Sequence, residues 1–222
     1  MNNNRSSIRI VGADLPGVEL LELLNFIDID DWERIHSEEA IRLVKAGANP
    51  EVVSKKGDNL IHRIFYKGDA ELAKEIVNLG VNLNGYNRFG QTITHLLVIS
   101  RIPEAESLSI IDILASKGVD FNIESHTEMR NRNGWTPLQF SAWNGKELLV
   151  EKFISLGVDL FLSCDEEESP LNLAKSGGHH KIVESIQNEI KRIEQKAQSL
   201  YANDLSNEIH SFINPEIFNH EL

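Results

Sequence analysis

The stretch Gly134-Trp135-Thr136-Pro137-Leu138-Gln139-Phe140-Ser141-Ala142-Trp143-Asn144-Gly145, closed by Gly157-Val158-Asp159, decides the fold. Thr136 before Pro137 reads as a helix start: the hydroxyl caps free backbone N–H groups, and Pro stands where its missing N–H does no harm. A short helix then ends at Gly145. A second helix carries the apolar stripe Leu149, Val150, Phe153 and Ile154 and stops at Gly157, a left-handed cap position. Two helices this short cannot bury their apolar faces alone, so the unit must stack on copies of itself.

Working outward, the copies are visible. The stop phrase recurs as Ala46-Gly47-Ala48-Asn49, Leu79-Gly80-Val81-Asn82, Lys117-Gly118-Val119-Asp120 and Leu156-Gly157-Val158-Asp159, with glycine spacings of 33, 38 and 39. The start phrase recurs as Gly57-Asp58-Asn59-Leu60-Ile61-His62, Gly90-Gln91-Thr92-Ile93-Thr94-His95, the Gly134 copy, and Glu167-Glu168-Ser169-Pro170-Leu171-Asn172, spaced by 33, 44 and 33. Both series describe one 33-residue unit with insertions of five and six residues. The first insertion falls near Ser100–Leu108, with Pro103-Glu104 restarting a helix. The second falls within Ile123–Asn133 and carries Glu124, His126, Glu128, Arg130 and Arg132 past the usual tip.

The pattern resembles the ankyrin repeat, whose hallmark is Gly-x-Thr-Pro-Leu-His, two helices and Gly-Ala-Asp-Val-Asn. The resemblance covers residues 37–190, although Leu60 and Ile93 stand where the family has Pro. It implies an all-α ankyrin-repeat solenoid of about four to five helix-turn-helix units with extended fingers. Residues 1–36 read as an N-terminal segment with a divergent capping helix over Val18–Ile29, and residues 191–222 as a C-terminal helical cap and tail. Ile190 replaces the last stop glycine, so that helix should run on along Ile182, Ile186, Ile190, Ile193, Ala197 and Leu200. Leu205, Ile209, Phe212 and Ile213 either continue it or fold back after Asn203-Asp204, and residues 1–17 and 214–222 read as frayed. Ile76, Leu114 and Phe153 should be equivalent buried positions.

Composition narrows the function class. With 222 residues, 22 Lys+Arg against 34 Asp+Glu and a net charge of −12, the molecule as a whole repels nucleic acid and anionic membrane. No apolar run approaches the ~18–20 residues that cross a bilayer, and the N-terminus leads into no secretory leader. A single cysteine, Cys164, excludes an intrachain disulfide framework, so a cytoplasmic setting is expected.

The search for chemistry points away from an enzyme. His62 and His95 occupy the family's histidine position, where the resemblance implies a hydrogen bond between fingers rather than catalysis. His179-His180 are adjacent and diverge, unlike a metal pair. Cys164 has no partner for nucleophilic chemistry, and Asp165-Glu166-Glu167-Glu168 reads as a solvated acidic finger without the spacing of a calcium loop. The expectation is therefore no catalytic residues, no metal and no cofactor.

In the family, the residues flanking the finger glycine and the two before the inter-helix glycine face the concave groove and recognise protein. Carried over, they are Lys55, Lys56, Asp58, Tyr66 and Lys67; Arg88, Phe89 and Gln91, with Ile99 and Ser100; Arg132, Asn133, Trp135, Trp143 and Asn144; and, in the fifth unit, Asp165, Glu166 and Glu168. Tyr66, Phe89, Trp135 and Trp143 would form an aromatic line, with the two indoles within a few ångströms of each other. Aromatics with Arg are the composition of an interface core. The expected function is protein–protein interaction as a monomer or weak dimer. The alternative, a bacterial effector that recruits or sequesters a host protein after export without a Sec signal, rests on 24 Ile and 20 Asn as the mark of an AT-rich genome. Enzyme and nucleic-acid binder rank below both.

Overall fold

Each helix start is set by a capping residue at the repeated position. Asn59, Thr136 and Ser169 have extended backbones, and their side-chain oxygens accept the backbone N–H three residues on, at 3.2, 3.3 and 3.3 Å. Thr92 does the work differently, its own N–H donating to His95 Nδ1 at 3.2 Å. The computed structural model describes residues 16–126, 134–162 and 166–213. Its elements are α1 (Pro16–Phe26), α2 (Arg34–Lys45), α3 (Leu60–Lys67), α4 (Ala70–Asn78), α5 (Ile93–Ile99), α6 (Glu104–Ser116), α7 (Pro137–Trp143), α8 (Glu147–Ser155), a 3₁₀ turn at Glu166–Glu168, α9 (Pro170–Ser176) and α10 (His180–Ile213). All regular structure among the described residues is helical.

The helices form two rows. In one row α3 packs on α5, α5 on α7 and α7 on α9; in the other α4 packs on α6, α6 on α8 and α8 on α10. Each first-row helix also packs on its successor in sequence, and α1 packs on α2 at the N-terminal end. Ile76, Leu114 and Phe153 are fully buried between the rows, as expected for equivalent positions. The stop glycines take left-handed conformations, from φ +74° at Gly118 and Gly157 to +101° at Gly47, which no other residue adopts freely.

The ends differ from the sequence reading in detail. Residues 16 and 17 open α1 instead of fraying, while residues 1–15 and 214–222 lie outside the described residues. Helix α10 runs unbroken to Ile213 without folding back after Asn203-Asp204. The last pair is covered by Ile182 and Ile186, with Val183 and Ile190 packed beside them. Residues 191–201 are all exposed, and residues whose side chains are described cover the last pair from before residue 191. The first insertion forms the Ser100–Pro103 link from α5 to α6, pinned by buried Ile102. The second falls largely on 127–133, outside the described residues.

Candidate partner-binding groove

The fingers end in tight turns. Ser54 N–H donates to the Asp58 carbonyl at 2.8 Å and Asn87 N–H to the Gln91 carbonyl at 2.9 Å, leaving Lys55-Lys56 and Arg88-Phe89 exposed at the two tips. The residue after each turn glycine is drawn inward, and at Asp58 this corrects an expected contact residue. Asp58 is only 1% exposed, and its carboxylate faces the Arg88 Nε at 3.6 Å. Gln91 is half-buried, its N–H donating to Asn87 Oδ1 at 2.9 Å and its side-chain oxygen accepting from the Asn87 amide at 3.4 Å. Trp135, at the same place in the fourth unit, is half-buried and donates its indole N–H to Glu168 at 3.1 Å.

One side chain per helix start then ties each finger to the next. The ring of His62 bonds the Gly85 carbonyl at 3.2 Å, His95 the Trp135 carbonyl at 2.9 Å, and Gln139 donates to the Glu168 carbonyl at 2.7 Å. His95 Nδ1 accepts the Thr92 N–H, so Nε2 carries the proton and donates. Burial holds the His95 imidazole down at about 4 and also lowers His62. Between these ties the backbone approaches closely: a Cβ added at Gly134 would lie 1.3 Å from the Ser125 carbonyl oxygen, and one at Gly90 1.7 Å from that of His126.

At the other edge, the last turn of three of the four first-row helices leaves an apolar side chain outside. Tyr66 is 44% exposed on α3, Ile99 42% on α5 and Trp143 47% on α7. Trp143 meets Trp135 with ring centroids 5.9 Å apart, and Trp135 meets Phe140 edge-on at 5.4 Å. The anticipated single aromatic line divides into three parts, since among the described residues no ring contact joins Phe89 or Tyr66 to each other or to the Trp135–Trp143 pair. Phe89, 43% exposed, lies instead under the Arg88 guanidinium at 4.7 Å. The third part is Tyr66, which with Ile99 walls a cavity of about 460 Å³ together with Lys67, Ser100, Arg101 and Asp30. Asn144 is exposed, and Arg132 and Asn133 lie outside the described residues.

Two of the expected groove cations are engaged with the α1 end and the loop that follows it: Lys56 pairs with Asp28, and Lys67 Nζ donates to the Asp30 carbonyl at 2.9 Å. The Lys55 backbone N–H donates to Asn25 Oδ1 at 2.7 Å. The Lys56 ammonium holds the Asp28 carboxyl below its ordinary value. Two residues escaped the sequence reading. Arg63, 1% exposed, donates to the Ile27 and Leu24 carbonyls at 2.6 Å each and lies 4.6 Å from the Trp32 ring centroid. An arginine inside the apolar run Leu60-Ile61-His62-Arg63-Ile64-Phe65 was its only signal. Arg101 had none beyond its place in the insertion.

Among the described residues no group of three or more His, Cys, Asp or Glu side chains converges as a metal site, and no helix is long and apolar enough to cross a membrane. No family model matches the chain. Among curated proteins, the inactive serine/threonine-protein kinase TEX14 of Bos taurus is 24% identical over 131 residues, 58% of this chain and 8% of that protein. The chain thus spans less than a tenth of the length of that relative.

Proposed function

We propose that residues 37–190 build an ankyrin-type solenoid whose work is to bind a partner protein in its concave groove, by recognition and not by catalysis. The observation that carries this reading is the repeated exposure of a large apolar side chain at one position of three successive helices, Tyr66, Ile99 and Trp143. A soluble surface gains nothing from wet rings, whereas a partner that covers them gains apolar area at low side-chain entropy cost. The buried histidines support binding over chemistry, because each spends a ring nitrogen on a neighbouring main-chain carbonyl. A chain with one cysteine suits a cytoplasmic setting.

The test compares capture of partner protein by the wild-type chain and by the Trp143→Ala and Trp135→Ala variants, with thermal melting on the same samples. As interface anchors the indoles should each weaken binding about thirtyfold or more, with Trp143→Ala melting close to wild type. Unchanged affinity in folded variants would place the binding surface elsewhere.

A further inference from the structure

The cavity beside Tyr66 exists because the repeat is interrupted there. Helix α3 passes to α4 through Gly68 and Asp69 alone, whereas Ser100, Arg101, Ile102 and Pro103 intervene between α5 and α6. The longer link is pinned from both sides. Ile102 is buried, Ser100 Oγ donates to the Leu97 carbonyl at 2.9 Å, and a Cβ added at Gly68 would come within 3.1 Å of the Arg101 amide nitrogen. The consequence is that Arg101 is exposed on this link and lines the same cavity as Tyr66 and Ile99.

The charges of this cavity are left open. Arg101 is exposed and forms no ion pair among the described residues. Lys67 spends one donor on a neutral acceptor, the Asp30 carbonyl. Asp30 is the one carboxylate against these two cations in the lining, so the cavity is locally positive on a molecule whose net charge is −12. A side chain suited to it has an apolar stem for the Tyr66–Ile99 walls and a negative end for the guanidinium fork, which receives a carboxylate with two parallel donors. A polyanion is a poor match, since Asp30 and the net charge oppose an unbroken row of phosphates.

Building on the groove reading above, we infer that the cavity lined by Asp30, Tyr66, Lys67, Ile99, Ser100 and Arg101 seats a glutamate or aspartate side chain of an extended partner segment lying along the groove, its carboxylate at the Arg101 and Lys67 side. The acid sets the register of the segment, while the Trp135–Trp143 pair supplies apolar area further along.

The experiment pans a random dodecapeptide display library on the immobilised full chain, then measures the winning peptide against wild type, Arg101→Gln and Trp143→Ala. The inference expects an acidic residue shared by the winners. Replacing it with its amide should weaken binding about tenfold or more, Arg101→Gln should do the same, and the two losses should not add. Unchanged melting of Arg101→Gln separates lost recognition from lost fold. Winners without an acid that still depend on Trp143 would overturn the acidic pocket and leave the groove reading standing. Winners indifferent to both residues, or no winners, would overturn the pocket and remove peptide support from the groove. Tighter, Arg101-dependent binding of a mixed-sequence oligonucleotide than of any peptide would overturn it in favour of nucleic acid.

Discussion

Helices α3 and α7 start from equivalent caps, Asn59 and Thr136, yet equivalent positions along them carry different kinds of residue. Arg63 stands where α7 has Phe140, and Lys67 where α7 has Asn144. The neighbours explain the exchange. Beside α3 lies the end of α1, whose final carbonyls lack intrahelical donors; Arg63 supplies two N–H groups to Leu24 and Ile27 and stacks on Trp32. Beside α7 lie the first-row helices α5 and α9, and Phe140 packs edge-on against His95 at 5.5 Å and against Trp135. Lys67 likewise reaches the Asp30 carbonyl, whereas Asn144 turns back to the Phe140 carbonyl at 2.7 Å. Repeat register assigns the place of a residue, and the adjacent element assigns its role.

The largest test of this contrast is Arg63→Ala. It leaves two carbonyls without donors and the buried Asp58 with one fewer nearby cation, so it should destabilise by about 3–5 kcal/mol in urea denaturation. A cost below about 1 kcal/mol would mean that α1 is held without it. The next test concerns the tie at the helix start, which α5 makes with His95 and α7 with Gln139. The folded protein keeps His95 neutral down to about 4, while an unfolded histidine protonates near 6.5. Between these values the unfolded chain binds more protons, so stability falls as pH drops from about 6.5 toward 4, by about 3 kcal/mol in all. His62 adds to the loss in the same direction. His95→Gln, which copies the fourth unit, should flatten the pH profile of unfolding while keeping the fold; an unaltered profile would show that His95 is not the titrating group. The smallest effect falls on Trp143→Ala, where half the ring is already wet: melting should report less than about 1 kcal/mol. A loss several times larger would make Trp143 part of the core and remove it from the groove.

Much of the architecture was legible because it is written in local residues. The caps at Asn59, Thr136 and Ser169, the stop glycines, and the loss of the last one to Ile190 act within a turn or two of chain, and helix starts and ends follow them. The adjacency of Trp135 and Trp143 was legible for the same reason, since both belong to one unit. The groove was less so. Asp58 was expected outside by its position after the turn glycine, and is buried because Arg88 arrives from the next finger. The spacing of Phe89 from the other rings likewise depends on how one finger lies on another.

The sequence by itself determined the starts and stops of the repeated helices, the 33-residue period, and the buried stripe positions within the repeats, because those are properties of short stretches of chain and of repetition. Only the tertiary structure decided that Arg63 closes the end of α1, that Lys56 and Lys67 hold the N-terminal hairpin, and that the Ser100–Pro103 link opens a cavity at Arg101. Each of these joins residues 28 or more positions apart. Charges and hydrogen bonds across such separations are set by packing, and no local pattern records them.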